Sequence, residues 1–522
     1  MVFPRTFIHP PSTLPSTSTT TIEPLQNTLP AAETRQELLQ TRSRSPSYST
    51  VLLSSPLTQS SPAEFPIAIQ PPILPASRYQ YIFNIDPTLA LDEHYSLRRA
   101  SFICQWDRHL PDLSPVYFSR LDHDRILSQC FTCGASYFFG MLSDLFLAEM
   151  LACLAPETTH AHYVEGSRYY TPLLHCSIMA FGAGFSDNYQ IRAKETRAKF
   201  ATQAKWWLDD EFSRPGPSLM LSLLLLSDYH CGVGEWNIGR MYTGMAVRAT
   251  RARKLVLLDQ QLGFISADRL QSSTHLICSS EIGTVGPHLF KAKCLMALET
   301  NRPSEMPHPH ASISCPIAPE SESQTDLHNH ADYFKHSTEC FIQTCRLMVI
   351  ASQIIGQPVD DTQLVLDTHL QLETWFNALP ESALIQKSST VAYTPVLALH
   401  ITYWRLILHS HRRLLEKNPS STEPWKDLSL KMCSRATEQL VQIFIMFEQR
   451  LGWRYFPRNL VKAMYECGSA LVKERTATSS ASREKRATAT DGVQLCIRAL
   501  GIVGDVWPGA VRMRDELRTL AG

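Results

Sequence analysis

The apolar positions between residues 168 and 258 follow the spacing of packed helices. Residues 170–181 form an apolar segment that Gly182 and Gly184 close. Residues 193–212 carry apolar and small side chains at intervals of three to five, which places them on one helical face. The positions on that face are Thr196, Phe200, Ala204, Trp207 and Phe212. The pattern predicts that two helices pack together here.

The third segment of this region, LMLSLLLLS, follows Ser218 and is apolar on every side. Serine favours the N-cap position, so the pattern predicts a helix that Ser218 caps and that lies at the buried centre of a helical layer. Three glycines interrupt the pattern before one further helix: Gly232, Gly234 and Gly239. On that helix we expect Gly244 and Ala246 to leave room for a close neighbour.

Helical periodicity extends on both sides of this central layer, and strand-like alternation is almost absent. The predicted helices cover residues 94–106, 126–154, 333–355, 361–379, 395–415, 428–450, 457–472 and 493–507, and a last one begins near Pro508. Residues 301–331 and 474–490 are polar stretches that we expect to be disordered loops. The sequence therefore predicts an all-α protein with a large multi-helix domain of a dozen or more helices.

The first part of the chain has a different composition. Residues 1–91 are rich in Ser, Thr and Pro and have few apolar side chains to bury. We therefore expect a disordered tail before a folded domain over residues 92–522. No apolar run approaches the roughly 20 residues that a membrane span needs, so we expect no membrane association.

Charge and cysteine content argue against several classes of function. The formal net charge is zero, whereas a nucleic-acid-binding protein usually carries a basic face. The fourteen cysteines are scattered singly, apart from Cys130 and Cys133. Those at Cys176, Cys294 and Cys496 lie in apolar patterns, which indicates reduced core residues of an intracellular protein.

Two kinds of spacing are candidates for metal ligands. Cys130 and Cys133 have the spacing of one half of a zinc site, but without a second pair we expect buried, unligated thiols. Four His-x-His pairs also occur, but residues i and i+2 of a helix do not share a face, and histidines in loops are usually solvated. The pairs are His160/His162, His308/His310, His328/His330 and His409/His411. We predict no metal site.

Basic clusters are expected where positive charge is favourable or solvated. Two clusters are predicted to lie at helix C-termini, where positive charge is favourable. A third is predicted to lie in a solvated loop, and the alternative for this cluster is a weak nuclear-import signal. The clusters are, in this order, Arg248, Arg251, Arg253 and Lys254; Arg412 and Arg413; and Arg483, Lys485 and Arg486. No G-x-S-x-G elbow, Gly-rich phosphate loop or H-E-x-x-H motif appears, so we predict no catalytic residue and no enzyme.

Seven strings, taken in order, carry a resemblance to a known family. They are SFICQWDRHLPDLSPVYFSR, GSRYYTPLLHCSIMAFGAGFSD, the Ala/Lys/Trp-rich helix, LMLSLLLLSDYHCGVGEWNIGRMYTGMAVRAT, LETWFNALP, LALHITYWRLILHSHRRLL and CIRALGIVGDVWPGA. Over residues 95–520 the chain resembles the regulatory (middle homology) domain of fungal zinc-cluster transcription factors, and most of all the nitrate-regulator-like subgroup.

Individual residues match three patterns of that family. For C-x-W-x-x-x-P-x-x-x-x-L-S-x-x-x-F they are Cys104, Trp106, Leu113, Ser114 and Phe118, with Leu110 where proline is usual. For Y-x-S-P-x-L-x-x-A-I-x-A-x-G-A they are Tyr170, Thr171, Pro172, Leu174, Ser177, Ile178, Ala180, Gly182 and Ala183. For W-x-x-x-G-x-A-x-R-x-A, with slips, they are Trp236, Arg240, Ala246, Arg248 and Thr250.

The chain departs from the family in two places. The family's R-R-x-x-F-W-x-x-F-x-x-D helix is expected within residues 276–298, which lack the Arg pair and the Trp. The family also holds DNA with an N-terminal cluster of six cysteines around two zinc ions, and here no cysteine precedes Cys104. We therefore expect no cofactor in this chain, with zinc only in a missing N-terminal cluster, and no DNA-binding residue can be assigned.

The resemblance implies a nuclear regulator of transcription that controls a metabolic or biosynthetic gene set. DNA contact is then expected from a partner or from the missing cluster, and the expected partners are other transcription regulators in a homo- or heterodimer. The helical body is expected to be a control platform with room for a small-molecule effector. Two alternatives stay open: a non-DNA-binding interaction protein that pairs with full-length zinc-cluster factors, and a helical enzyme with a metabolite-sized pocket.

Overall fold

Helices form all the regular structure of the residues that the computed structural model describes, and no strand occurs among them. The described residues are 104–131, 143–155, 169–213, 215–263, 289–301, 328–355, 362–385, 394–417, 423–477 and 483–522. All of them belong to a unit that extends from Ile67 to Gly522. The all-α prediction is confirmed, whereas the predicted disorder of residues 1–91 lies outside the described residues.

The first helices form the central layer that the sequence predicts. They are α1 (Arg120–Gln129), α2 (Ser143–Cys153), α3 (Pro172–Gly182), α4 (Tyr189–Arg192), α5 (Lys194–Trp206), α6 (Leu208–Phe212), α7 (Pro217–Gly232) and α8 (Trp236–Gly263). Helix α7 packs against both α3 and α8, and α3 packs in turn against α1 and α5.

The later helices pack as two groups. They are α9 (289–300), α10 (His328–Ala351), α11 (Thr362–Asn377), α12 (Thr394–Lys417), α13 (Pro424–Arg450), α14 (Val461–Ala477), α15 (Arg483–Gly504) and α16 (Gly509–Ala521). Helix α12 packs against α10, α11 and α13, whereas α14, α15 and α16 pack on one another and α16 reaches α7. The prediction of a dozen or more helices is confirmed within the described residues.

Every residue of α7 is buried, as its apolar sequence predicts. Its start differs from the prediction, because Gly216 is the N-cap residue and Pro217 occupies the first turn. Proline fits there since the first N–H groups of a helix have no intrahelical acceptor. Ser218 therefore lies inside the helix, and its prediction as a cap was wrong.

The predicted helix over residues 193–212 is two helices, because the chain breaks at Trp207 between α5 and α6. The predicted face is buried on α5, at Thr196, Phe200 and Ala204. Beyond the break Phe212 is 39% exposed. Its predicted place on the same helical face was wrong, since the helical register does not continue through the break.

Gly239 allows α7 and α8 to cross closely, after a turn at Gly234. Gly234 turns the chain between them with a φ of 89°, a conformation that glycine adopts without strain. A Cβ at Gly239 would lie 2.4 Å from the Cys231 sulfur and 2.8 Å from an α7 carbonyl oxygen, whereas a Cβ at Gly244 meets nothing within 4 Å. The close neighbour lies at Gly239, so the prediction for Gly244 was wrong, although Ala246 is fully buried.

Arg197 of α5 connects the central layer to the later helices. Its side chain is buried and donates hydrogen bonds to the carbonyl oxygens of Ala180 (3.0 Å) and Val506 (2.7 Å). The guanidinium carbon also lies 5.3 Å from the centre of the Tyr229 ring and 4.8 Å from that of the Trp507 ring. Burial lowers the pKa of Arg197 to about 10. With no carboxylate partner among the described residues, its charge is stabilised by carbonyl dipoles and ring faces.

Two predicted loops and one predicted helix have different bounds in the structure. Helix α15 begins at Arg483, inside the loop predicted over residues 474–490, because SREKRATAT contains good helix formers. Helix α10 begins at His328, three residues before the predicted end of the loop over residues 301–331. Residues 104–106 are not helical, and residues 94–103 of that predicted helix lie outside the described residues.

The contrast between Gly239 and Gly244 gives a direct test of the crossing. Gly239→Ala should destabilise the protein by about 1–3 kcal/mol, because the new methyl group overlaps α7. Gly244→Ala should stabilise it by up to about 1 kcal/mol, because alanine favours the helix and meets no neighbour. Denaturant unfolding followed by circular dichroism measures both changes, and equal stability of the two variants would contradict this crossing.

Candidate functional site

A cleft of about 670 Å³ lies where α8, α9, α14 and α16 meet. The side chains that decide its chemistry are Trp236, Arg240, Lys462, Tyr465, Arg512 and Met513. Its volume falls in the range of roughly 300–1,000 Å³ that is typical of small-molecule sites, and it combines ring surfaces with several cations.

A buried ionic cluster adjoins the cleft at Glu299, and we call this cluster the floor of the cleft. Arg458 pairs with Glu299 of α9 at 2.9 Å and with Asp228 of α7 at 2.5 Å, and all three side chains are nearly inaccessible to solvent. Burial raises the pKa of both carboxyl groups, and the positive charge of Arg458 opposes this effect. Burial alone would lower the pKa of Arg458, but the two carboxylates raise it. The cluster joins α7 and α9 to the segment that precedes α14.

A second ion pair lies beside the first. Arg405 of α12 donates two hydrogen bonds to Glu466, at 2.8 and 3.3 Å, and its side chain is fully buried. Lys462 donates a hydrogen bond to the backbone oxygen of Glu299, and its Nζ lies 3.7 Å from a Glu466 oxygen. Lys462 thereby connects the two ionic groups while lining the cleft.

Behind the floor lies a small polar cavity of about 20 Å³, which is enough for one water-sized group. Ser227, Asp228 and Thr243 line it together with Arg458 and Asn459. Both amide atoms of Asn459 and the Nε of Arg458 are buried without a hydrogen-bond partner among the described residues. The α7 side of the cluster is therefore polar even away from its ion pairs.

Lys291 of α9 is another buried cation near this floor. It is inaccessible to solvent, and its Nζ lies 5.0 Å from the centre of the Phe341 ring. Burial lowers the pKa of Lys291 to about 7, although Cys345, Cys340 and Asp228 oppose the shift. At neutral pH the folded protein therefore holds this amine near its titration point.

Two residues that match the family patterns, Cys104 and Tyr170, lie at the ends of a buried hydrogen-bond network away from the cleft. Cys104 accepts a hydrogen bond from Arg120 at 3.2 Å, and Arg120 pairs with Asp124 at 2.7 Å. His123 connects Asp124 (2.8 Å) to His175 (2.8 Å), and the Tyr170 hydroxyl contacts the other His175 nitrogen at 3.2 Å. Burial lowers the pKa of both histidines. This hydrogen-bond network holds α1, α3 and the segment before α1 together, so Cys104 and Tyr170 have structural roles.

The histidine and cysteine candidates form no group of three metal ligands among the described residues. Cys130 is buried, as are Cys176, Cys294 and Cys496, in agreement with the prediction of core thiols. In the pair His409/His411, His411 contacts Ser429 (3.0 Å) and His369 (3.2 Å). Cys133, His160/His162 and His308/His310 lie outside the described residues, and so do the side chains of His328/His330.

The explanations predicted for the basic clusters were wrong. Helix α8 continues to Gly263, so Arg248, Arg251, Arg253 and Lys254 lie within a helix and not at its C-terminus. Arg412 donates to the Ser469 hydroxyl at 2.6 Å, and Arg413 to the Ile354 carbonyl oxygen at 3.5 Å, so both bind across helix contacts. The third cluster, Arg483, Lys485 and Arg486, is exposed on the first turn of α15 rather than in a loop.

Few of the cleft residues could be predicted from the sequence. Arg240 and Trp236 entered only through a family pattern. Lys462, Tyr465 and Arg512 were missed because polar side chains on amphipathic helices usually face solvent. One signal was present in Asp228, an acid directly after the apolar run of α7, since a buried carboxylate requires a buried cation.

In the described part of the chain, no helix combines the length and apolar character that a bilayer crossing needs.

Removing the central cation should show how much the ionic floor contributes. Arg458→Met leaves two buried carboxylates without a partner and should lower the free energy of unfolding by about 3–5 kcal/mol. The matched control is Arg498→Met, which breaks the exposed pair with Glu448 (3.2 Å) and should cost about 0.5 kcal/mol. Adding Asp228→Asn and Glu299→Gln to Arg458→Met should recover part of the loss, and equal losses for Arg458 and Arg498 would contradict the buried cluster.

Lys291 should make stability depend on pH in the alkaline range. Its pKa is about 7 in the folded protein, whereas an unfolded lysine has a pKa of about 10.4. Between these values only the unfolded chain binds the proton, so raising the pH favours the folded state, by on the order of 3 kcal/mol across the interval. Lys291→Met should lack this gain. Unfolding curves from pH 7 to 10 measure it, and parallel pH profiles for the two proteins would refute the assignment.

One region of this chain is similar to a known protein family. No curated protein and no solved structure gives a significant match to this chain. The region from residue 136 to residue 261, which contains α2–α7 and most of α8, does match a family model, and the matched family is one of regulators and not of enzymes. Residues 136–261 of this chain thus correspond to the fungal specific transcription factor domain.

Proposed function

We propose that this chain is a fungal transcription regulator that acts in the nucleus on a metabolic or biosynthetic gene set. The observation that carries the proposal is the match of residues 136–261 to the fungal specific transcription factor domain. The matched region contains the buried helix α7, and two cleft residues, Trp236 and Arg240, lie within it.

In this proposal the helical body controls transcription and another module contacts DNA. The six-cysteine zinc cluster of the related factors does not fit the present sequence. The first cysteine of this sequence is Cys104, which is buried among helices. DNA contact then comes from a partner regulator, in a homo- or heterodimer, or from a cluster outside this sequence. The cleft gives the body a place for a small effector.

The lack of cysteines before Cys104 also favours a second candidate function. In that case the chain is an interaction protein that binds full-length zinc-cluster factors and lowers or redirects their activity. The two candidates differ in what the chain does when it is placed at a promoter without such a partner.

Tethering separates these candidates. The full chain, fused to a heterologous DNA-binding domain, should change transcription of a reporter with the cognate sites several-fold relative to the DNA-binding domain alone. A tagged copy without the fusion should be nuclear and should be recovered with promoter DNA in chromatin immunoprecipitation. An inert fusion together with recovery of a zinc-cluster factor in pull-down would favour the second candidate. A cytosolic protein that is never found at promoters would refute both.

A further inference from the structure

We propose that the cleft binds a small organic anion, a carboxylate with an aromatic body. The carboxylate contacts Arg240 and Lys462, and the aromatic body packs between Trp236 and Tyr465. The binding site follows from the geometry of the cleft alone, whereas its role as a regulatory input rests on the proposed function.

The size of the cleft suits a ligand of this kind. At about 670 Å³ it has room for a fused-ring compound, unlike the cavity of about 20 Å³ behind its floor. Trp236, Tyr465 and Met513 supply apolar and ring surface, which favours an aromatic body over an extended polar one.

The charges around the cleft favour an anion, because the carboxylates that line it or lie next to it already pair with cations. Glu299 has a side chain that is 1% exposed and faces Arg458, so it presents no free charge to the cleft. Glu466 is held by Arg405 at 2.8 Å, and Glu516 pairs with Arg512 on the same helix at 2.8 Å. A cationic ligand therefore finds no unpaired carboxylate among these three.

Arg240 is the cation that remains. It lines the cleft, is partly exposed, and makes no hydrogen bond or ion pair with any residue that the structure describes. Lys462 lines the same cleft from α14, donates a hydrogen bond to the backbone oxygen of Glu299, and lies 3.7 Å from a Glu466 oxygen. A guanidinium that is not paired is well suited to bidentate binding of a carboxylate.

The position of the cleft gives such a ligand a way to influence the protein. Trp236 and Arg240 belong to the region that matches the transcription factor domain, whereas Lys462, Tyr465 and Met513 come from α14 and α16. A ligand that contacts both walls favours the arrangement in which these helices are docked, to the extent that it binds this arrangement more tightly than others.

A matched pair of probes tests the charge requirement. The full 522-residue chain is titrated by calorimetry with 2-naphthoate and with 2-naphthamide, its neutral analogue of similar shape. We expect 2-naphthoate to bind with a Kd below about 1 mM and at least about tenfold more tightly than 2-naphthamide, since one charge-assisted contact contributes roughly this factor. Equal affinities, or no binding of 2-naphthoate up to about 1 mM, overturn the proposal.

Two variants on one helix locate the site. Arg240→Gln should weaken 2-naphthoate binding by about tenfold and leave that of 2-naphthamide unchanged, because only the charge-assisted contact is lost. Arg248→Gln, two turns further along α8 and exposed, is the control and should change neither. An equal loss in both variants, or none in Arg240→Gln, refutes the assignment.

The tethered reporter is independent of this titration. An active reporter with no binding of 2-naphthoate refutes only the proposed ligand, and binding with an inert reporter refutes only the proposed function.

Discussion

The fold depends on a constraint that α7 imposes: a helix buried on every side must find partners inside the protein for each of its polar side chains. Ser227 contacts Thr243 of α8 at 2.7 Å, and Asp228 pairs with Arg458. A buried carboxylate without a cation would cost several kcal/mol, so the position of Arg458 is as much a requirement of α7 as its apolar contacts are. The second acid of the cluster, Glu299, then fixes α9 against the same arginine.

Two buried arginines, Arg458 and Arg197, obtain partners for their charge in different ways. Arg458 has two carboxylates, which raise its pKa, whereas Arg197 has backbone oxygens and two aromatic rings, and burial lowers its pKa. Trp507 lies between the two sites, since it stacks on Arg197 and packs against Gly232, where a Cβ would lie 2.4 Å from its ring. Gly232 therefore lets the C-terminal end of α7 approach the later helices closely enough for both arginines to reach it.

Periodicity in the sequence predicts faces well and partners poorly. The burial of α7 and of the Phe200 face of α5 followed from spacing alone, because each depends on residues close in the chain. Gly239 and Gly244 look alike in the sequence, and only the crossing point of α7 and α8 makes one indispensable. Arg458 and Glu299 are 159 positions apart, so no local pattern could pair them. The cleft could not be predicted for the same reason, as its walls come from distant helices.

The hydrogen bond between Arg197 and Val506 bears on what can fold by itself. The two residues are 309 positions apart, and before they meet the guanidinium lacks its shortest acceptor in an otherwise apolar layer. The region of family similarity, residues 136–261, contains the arginine but not this acceptor. The matched region is therefore not the unit that folds cooperatively. An excised fragment of residues 136–261 lacks contacts that independent folding requires.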